Sequence, residues 1–101
     1  MEIEEQLPEK FELYQNYPNP FNPRTTIKFA IPASVKNEML NTKLVVFDIL
    51  GREVATLVNE NLKPGNYEVK FNASGLPSGT YFYRIELNEK FRSVKKMLFL
   101  K

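Results

Sequence analysis

The 101-residue chain contains no cysteine and no histidine, and its 14 lysines and arginines against 12 acids leave a net charge of +2. These numbers exclude disulfides, thiolate and imidazole metal ligands and histidine-assisted nucleophiles, and they supply no broad basic field for nucleic acid. With 43% hydrophobic and 26% charged residues, the composition is that of one folding domain, expected to bury roughly 60–70% of its unfolded surface.

Residues 1-10 begin Met1-Glu2-Ile3-Glu4-Glu5 and lack the basic and apolar regions of a signal peptide. They read as a linker or added segment ahead of a domain over 11-101. No apolar run approaches the roughly 18–20 residues that a membrane-spanning helix needs. A short first strand is expected near Phe11-Glu12-Leu13-Tyr14. Pro18, Pro20 and Pro23 then crowd the stretch Gln15-Asn16-Tyr17-Pro18-Asn19-Pro20-Phe21-Asn22-Pro23. A stretch so rich in proline cannot sit inside a sheet, so it reads as a rigid, polyproline-like arch, with Tyr17 and Phe21 plugging it into the core.

Beyond the arch, alternation predicts a half-buried strand at Ile27-Lys28-Phe29-Ala30-Ile31, and the polar stretch 34-42 reads as a loop or one helical turn. Lys43 to Ile49 is apolar on both faces, as a central strand would be. Gly51 and Gly65 suit turns that need positive φ. Asp48 and Glu53 flank the first turn without a third acid at calcium-loop spacing, so they read as solvated surface carboxylates, and no cofactor or metal is expected. Asn72-Ala73-Ser74 matches a glycosylation triplet formally, with turn chemistry the simpler reading. Tyr67-Glu68-Val69-Lys70-Phe71 and Tyr81 to Leu87 alternate cleanly; Phe82 either joins a second buried layer or lies exposed beside Arg84, where it could meet a sugar or a protein. The final run, Phe91 to Leu100, breaks its alternation at Lys95-Lys96, which predicts a bulge. Charge is segregated between the ends: residues 1-12 hold five glutamates against Lys10, and 91-101 hold Arg92, Lys95, Lys96 and Lys101 with no acid. About seven short strands separated by turns predict an all-β, immunoglobulin-like antiparallel β-sandwich.

Four motifs carry a resemblance. Leu13 to Ile27, Val46 to Val58, Pro64 to Arg84 and Lys95-Lys96-Met97-Leu98-Phe99-Leu100-Lys101 together resemble the C-terminal sorting domain of the type IX secretion system, the Por secretion tail family, over residues 11 to 101. The immunoglobulin-like domain of flagellar hook-capping proteins is similar, with the same kind of proline arch. The first resemblance implies a non-catalytic domain that carries an N-terminally attached cargo through the periplasm to the cell surface or the medium. Its implied partners are the outer-membrane translocon, a shuttle protein and a sortase. The resemblance also marks Lys95, Lys96, Leu98, Leu100 and Lys101 as partner-binding candidates, and Tyr17, Pro18, Asn19, Pro20, Phe21, Pro23, Gly51, Gly65 and Gly79 as a structural motif. Two other readings stand beside it: a structural module that supports a neighbouring enzyme or a flagellar-hook-type scaffold, and an enzyme, for which the chain offers no recognisable catalytic set.

Overall fold

In the computed structural model, which describes residues 8–33 and 39–101, seven strands form two sheets. They are β1 (Glu12–Leu13), β2 (Arg24–Ile31), β3 (Leu40–Phe47), β4 (Glu53–Leu62), β5 (Gly65–Asn72), β6 (Gly79–Leu87) and β7 (Phe91–Phe99). One sheet has the order β1-β2-β5 and the other β4-β3-β6-β7, and every pairing of named strands is antiparallel. The sheets pack face to face as a β-sandwich of immunoglobulin type. The fourth strand lies on the larger sheet rather than beside the fifth, unlike a constant-type immunoglobulin domain.

The period-two pattern is what makes the core. In β6, Tyr81, Tyr83, Ile85 and Leu87 are buried while Phe82, Arg84 and Glu86 face outwards. In β2, Ile27, Phe29 and Ile31 are at most 1% exposed, and from the other sheet Leu44, Val46, Met97 and Phe99 pack against them. The central β3 buries Val45 as well, which fits its run of four consecutive apolar residues, Leu44 to Phe47.

Two local expectations are corrected. β7 runs in unbroken register with β6 from Phe91↔Leu87 to Phe99↔Gly79, so no bulge interrupts Lys95-Lys96. Instead Lys95 lies on the inward-facing row, near the open edge of the sandwich, and the aliphatic stem of a lysine tolerates that place while its ammonium reaches water. The register shifts lie in the β3-β4 pairing, at Leu44/Val45 and Val46/Phe47. Leu40 to Thr42 belong to β3 rather than to a loop or helical turn, while residues 34–38 of that expectation lie outside the described residues.

Among the described residues no ion pair joins 8–12 to 91–101, and Glu2, Glu4 and Glu5 lie outside the described residues. The two segments meet in an aromatic contact, with the Phe11 ring edge-on to Phe91 at 4.3 Å. The β6-β7 turn is made by Asn88 and Glu89, both at positive φ, the conformation of the tight hairpin turn that matches strand twist.

Candidate functional site: the arch and the closing strand

β7 is the edge strand of the larger sheet, and such an edge normally leaves a row of unpaired backbone groups. Here the proline-rich arch covers the second half of that row. The Gln15 side chain donates to the Lys96 carbonyl at 2.7 Å, and the Leu98 amide donates to Asn19 Oδ1 at 2.9 Å. Phe21 then forms a parallel bridge with Phe99: its amide donates to the Leu98 carbonyl at 3.0 Å, and its carbonyl accepts from the Leu100 amide at 3.1 Å. Lys101 continues the seam by donating its amide to Ser78 Oγ at 2.9 Å. Strand alternation turns the backbone groups of Arg92 and Val94 outwards too, where no hydrogen bond from the arch meets them. The candidate edge is thus clasped from Lys96 onwards and open before it.

The arch can hold this position because it is itself fixed from inside. The Tyr83 hydroxyl, fully buried, donates to the Tyr14 carbonyl at 2.7 Å and accepts from the Asn16 amide at 2.8 Å. Asn16 is 2% exposed; its Nδ2 donates to Thr25 Oγ1 and to the Pro18 carbonyl, and the Thr25 hydroxyl donates to the same carbonyl. Burying so many polar groups costs little only when each has a partner, as these do. Burial pushes the Tyr83 phenol up to about 12. Phe21 is the apolar anchor, 2% exposed and stacked on Phe99 at 5.3 Å with Phe71 at 6.2 Å.

Tyr17 is a correction. Its ring is 81% exposed and plugs nothing; only its backbone is held, in an antiparallel bridge to Thr26. That bridge also makes the segment tighter than the polyproline-like arch expected, and the bonds preceding Pro18, Pro20 and Pro23 are cis. Pro23 ends the arch by accepting from the Ala73 amide at 2.9 Å.

The five partner-binding candidates divide by strand face. Lys96 and Leu98 point to the outer face of the larger sheet, opposite Phe82 and Thr80. Leu100 and Lys101 are exposed beyond the strand end. Lys95 points the other way, into a cleft of about 450 Å³ that it lines with Phe11, Gln15, Phe91 and Ser93. The sequence did not reveal Gln15, Asn16, Asn19 and Tyr83 as the parts that hold the tail, because their contacts span up to 81 positions.

At the same end of the sandwich, Gly51 has φ 84° in the β3-β4 turn, where any side chain would be strained. Asp48 is no idle surface carboxylate. It accepts from the Leu50 and Arg52 amides, both at 2.9 Å, and from Arg52 Nε at 2.7 Å. The Arg52 amide and guanidinium, helped by the Leu50 amide, hold its carboxyl below the ordinary carboxylate range. Gly65 and Gly79 open β5 and β6 opposite Ile31 and Phe99. Asn72-Ala73-Ser74 is a turn closed by the Asn72 side chain, which accepts from the Ser74 amide and hydroxyl. Phe82 is half-buried against its cross-strand neighbour Phe47, over which the Arg84 guanidinium stacks at 4.7 Å.

Two solved structures share the fold at low identity. The sensor domain of the anti-sigma factor RsgI4 of Pseudobacteroides cellulosolvens superposes with a TM-score of 0.61 at 13% identity, over 90% of this chain and 95% of that one. The DNA-bound alkylpurine DNA glycosylase AlkC of Pseudomonas fluorescens superposes with a TM-score of 0.55 at 11% identity, over 90% of this chain but 30% of the glycosylase. At such identities the likeness is one of fold alone. No curated protein sequence matches the chain. The family profile described as "Secretion system C-terminal sorting domain" matches residues 15–100, from the first residue of the clasp to the last residue it holds. The chain therefore belongs to the family of secretion-system C-terminal sorting domains.

Proposed function

We propose that this domain is read by the type IX outer-membrane translocon, its shuttle protein and its sortase through the closing strand as the arch presents it. Family membership carries the coarser role: a C-terminal sorting signal, joined at its N-terminal side to a cargo and exporting it to the cell surface or the extracellular space. The finer reading adds transit through the periplasm and recognition of Lys96, Leu98, Leu100 and Lys101. The observation that carries it is the family match, whose span covers both the arch and the strand it clasps. The clasp favours recognition of a folded surface. Backbone pairing to a receptor is left to the open stretch from Arg92 to the Lys96 amide, since the outward groups from the Lys96 carbonyl to the Leu100 amide are already bonded.

Deleting the tail is a poor test, because Met97 and Phe99 are core residues and their loss would unfold the domain. The informative variant is Lys96→Glu with Leu100→Ser and Lys101→Glu, all at exposed positions. A periplasm-directed reporter carrying it is expected to melt as the parent does and to accumulate inside the outer membrane. Parental export of that variant would contradict recognition through the tail.

A further inference from the structure

The β3-β4 turn presents two large aliphatic side chains to solvent. Ile49 is 71% and Leu50 75% exposed at its tip. The turn beneath them is fixed by the Asp48 side-chain bonds, by the Gly51 amide donating to the Asp48 carbonyl at 3.0 Å, and by the Asp48 amide donating to the Arg52 carbonyl at 2.9 Å. Apolar residues held so rigidly in water lose little conformational freedom on being covered. They also continue into apolar surface on both sides. Ile49 and Leu50 line a groove of about 550 Å³ with Val54, Leu76, Pro77 and Tyr81. Ile49 also borders a shelf on the outer sheet face formed by Phe47, Phe82 and Val94, the last 54% exposed.

The shelf side carries surplus positive charge. The surplus is on its β6-β7 flank, where Glu86 is shared by Arg84 at 2.9 Å and Arg92 at 3.8 Å, whereas on the β3-β4 flank Asp48 is paired with Arg52 and Glu53 lies opposite Phe47. Lys96, the cross-strand neighbour of Phe82, has no ion-pair partner among the described residues. Position narrows the occupant further. The cargo joins at the end where Glu12 pairs with Ala30 and Phe11 meets Phe91, whereas the turn lies at the opposite end, with the arch and the tail. Ser78, which lines the groove, is the residue that holds Lys101.

We infer that Ile49, Leu50 and the Phe47-Phe82-Val94 shelf form a second docking surface, facing away from the cargo, for a protein with an apolar pocket bordered on one side by carboxylates. The inference rests on the sorting reading and adds to the tail a separate anchor with its own chemistry.

The test uses the full chain fused to a reporter in a type IX-competent bacterium, with Ile49→Ser and Leu50→Ser together. Both sites are exposed, so an unchanged melting temperature is expected. Export is expected to fall about tenfold or more, the consequence of losing two apolar anchors. A photo-crosslinking residue at position 49 of the exported fusion is expected to join a protein segment that combines aliphatic side chains with Asp or Glu. Export equal to the parent's would overturn the inference and leave the sorting reading intact, as would an adduct formed only with lipid or with a second copy of this chain. If the parent fusion itself stays in the cell, the sorting reading fails and this inference fails with it.

Discussion

Tyr83 links the two sheets at the point where the arch begins. Replacing it with Phe keeps the ring but strips the Asn16 amide and the Tyr14 carbonyl of their buried partner, and the expected loss is about 1–3 kcal/mol in denaturant unfolding. Its titration gives an independent check. The phenol pKa is raised from 10.0 to about 12 in the folded state, so the folded protein binds its proton more tightly than the unfolded chain does. The corresponding stability is complete below pH 10 and is lost as pH rises towards 12; Tyr83→Phe is expected to flatten that part of the stability curve. Asp48 behaves with the opposite sign. Its carboxyl is held below the model-peptide value of 3.8, so the order it gives the turn is present above that pH and is lost as pH falls through the lower folded value. Amide resonances of Leu50 and Arg52, followed by NMR through the acid range, are expected to shift together there and to show no such joint transition in Asp48→Ala.

The clasp is a property of two elements rather than of any residue. Hydrogen exchange is expected to divide β7, with the Leu98 and Leu100 amides slow and the Arg92 and Val94 amides fast, although all four point away from β6. Asn19→Ala is expected to speed Leu98 selectively. Phe21→Ala empties a core site and is expected to cost about 3–5 kcal/mol while releasing Leu98 and Leu100 together. Equal exchange along β7 in the parent protein would mean that the arch does not hold the tail.

What the sequence could disclose at this scale follows from the range of the physics. β5 and β6 alternate strictly and were readable, as was the two-faced apolar run of the central β3. β4 is harder to read because two register shifts against β3 disrupt its alternation. At Lys95-Lys96 the pattern misleads for another reason: a lysine occupies the inward row where the sandwich edge opens, and hydropathy alone cannot separate that from a change of facing. Aromatic content placed both Tyr17 and Phe21 in the core, yet only Phe21 has Phe71 and Phe99 to receive it. The tail candidates came from the family resemblance, and their division into Lys96 and Leu98 on one face and Lys95 on the other follows from register.

For the whole molecule, the two ends carry different features. The chain enters beside Phe91 and Asn66, and the arch, the tail and the apolar turn gather at the far end. The proposed reading needs that far end clear of a cargo joined upstream. The structural-module reading makes the opposite demand, since a module that stabilises its neighbour needs contact at the near end. The most direct measurement is the fate of a reporter that is sent to the periplasm and fused ahead of residues 11-101, followed in a type IX-competent bacterium and in the same strain with its translocon disabled. Delivery to the surface or the medium only when the translocon works is the predicted result; periplasmic retention of a folded, intact fusion in the competent strain would contradict it.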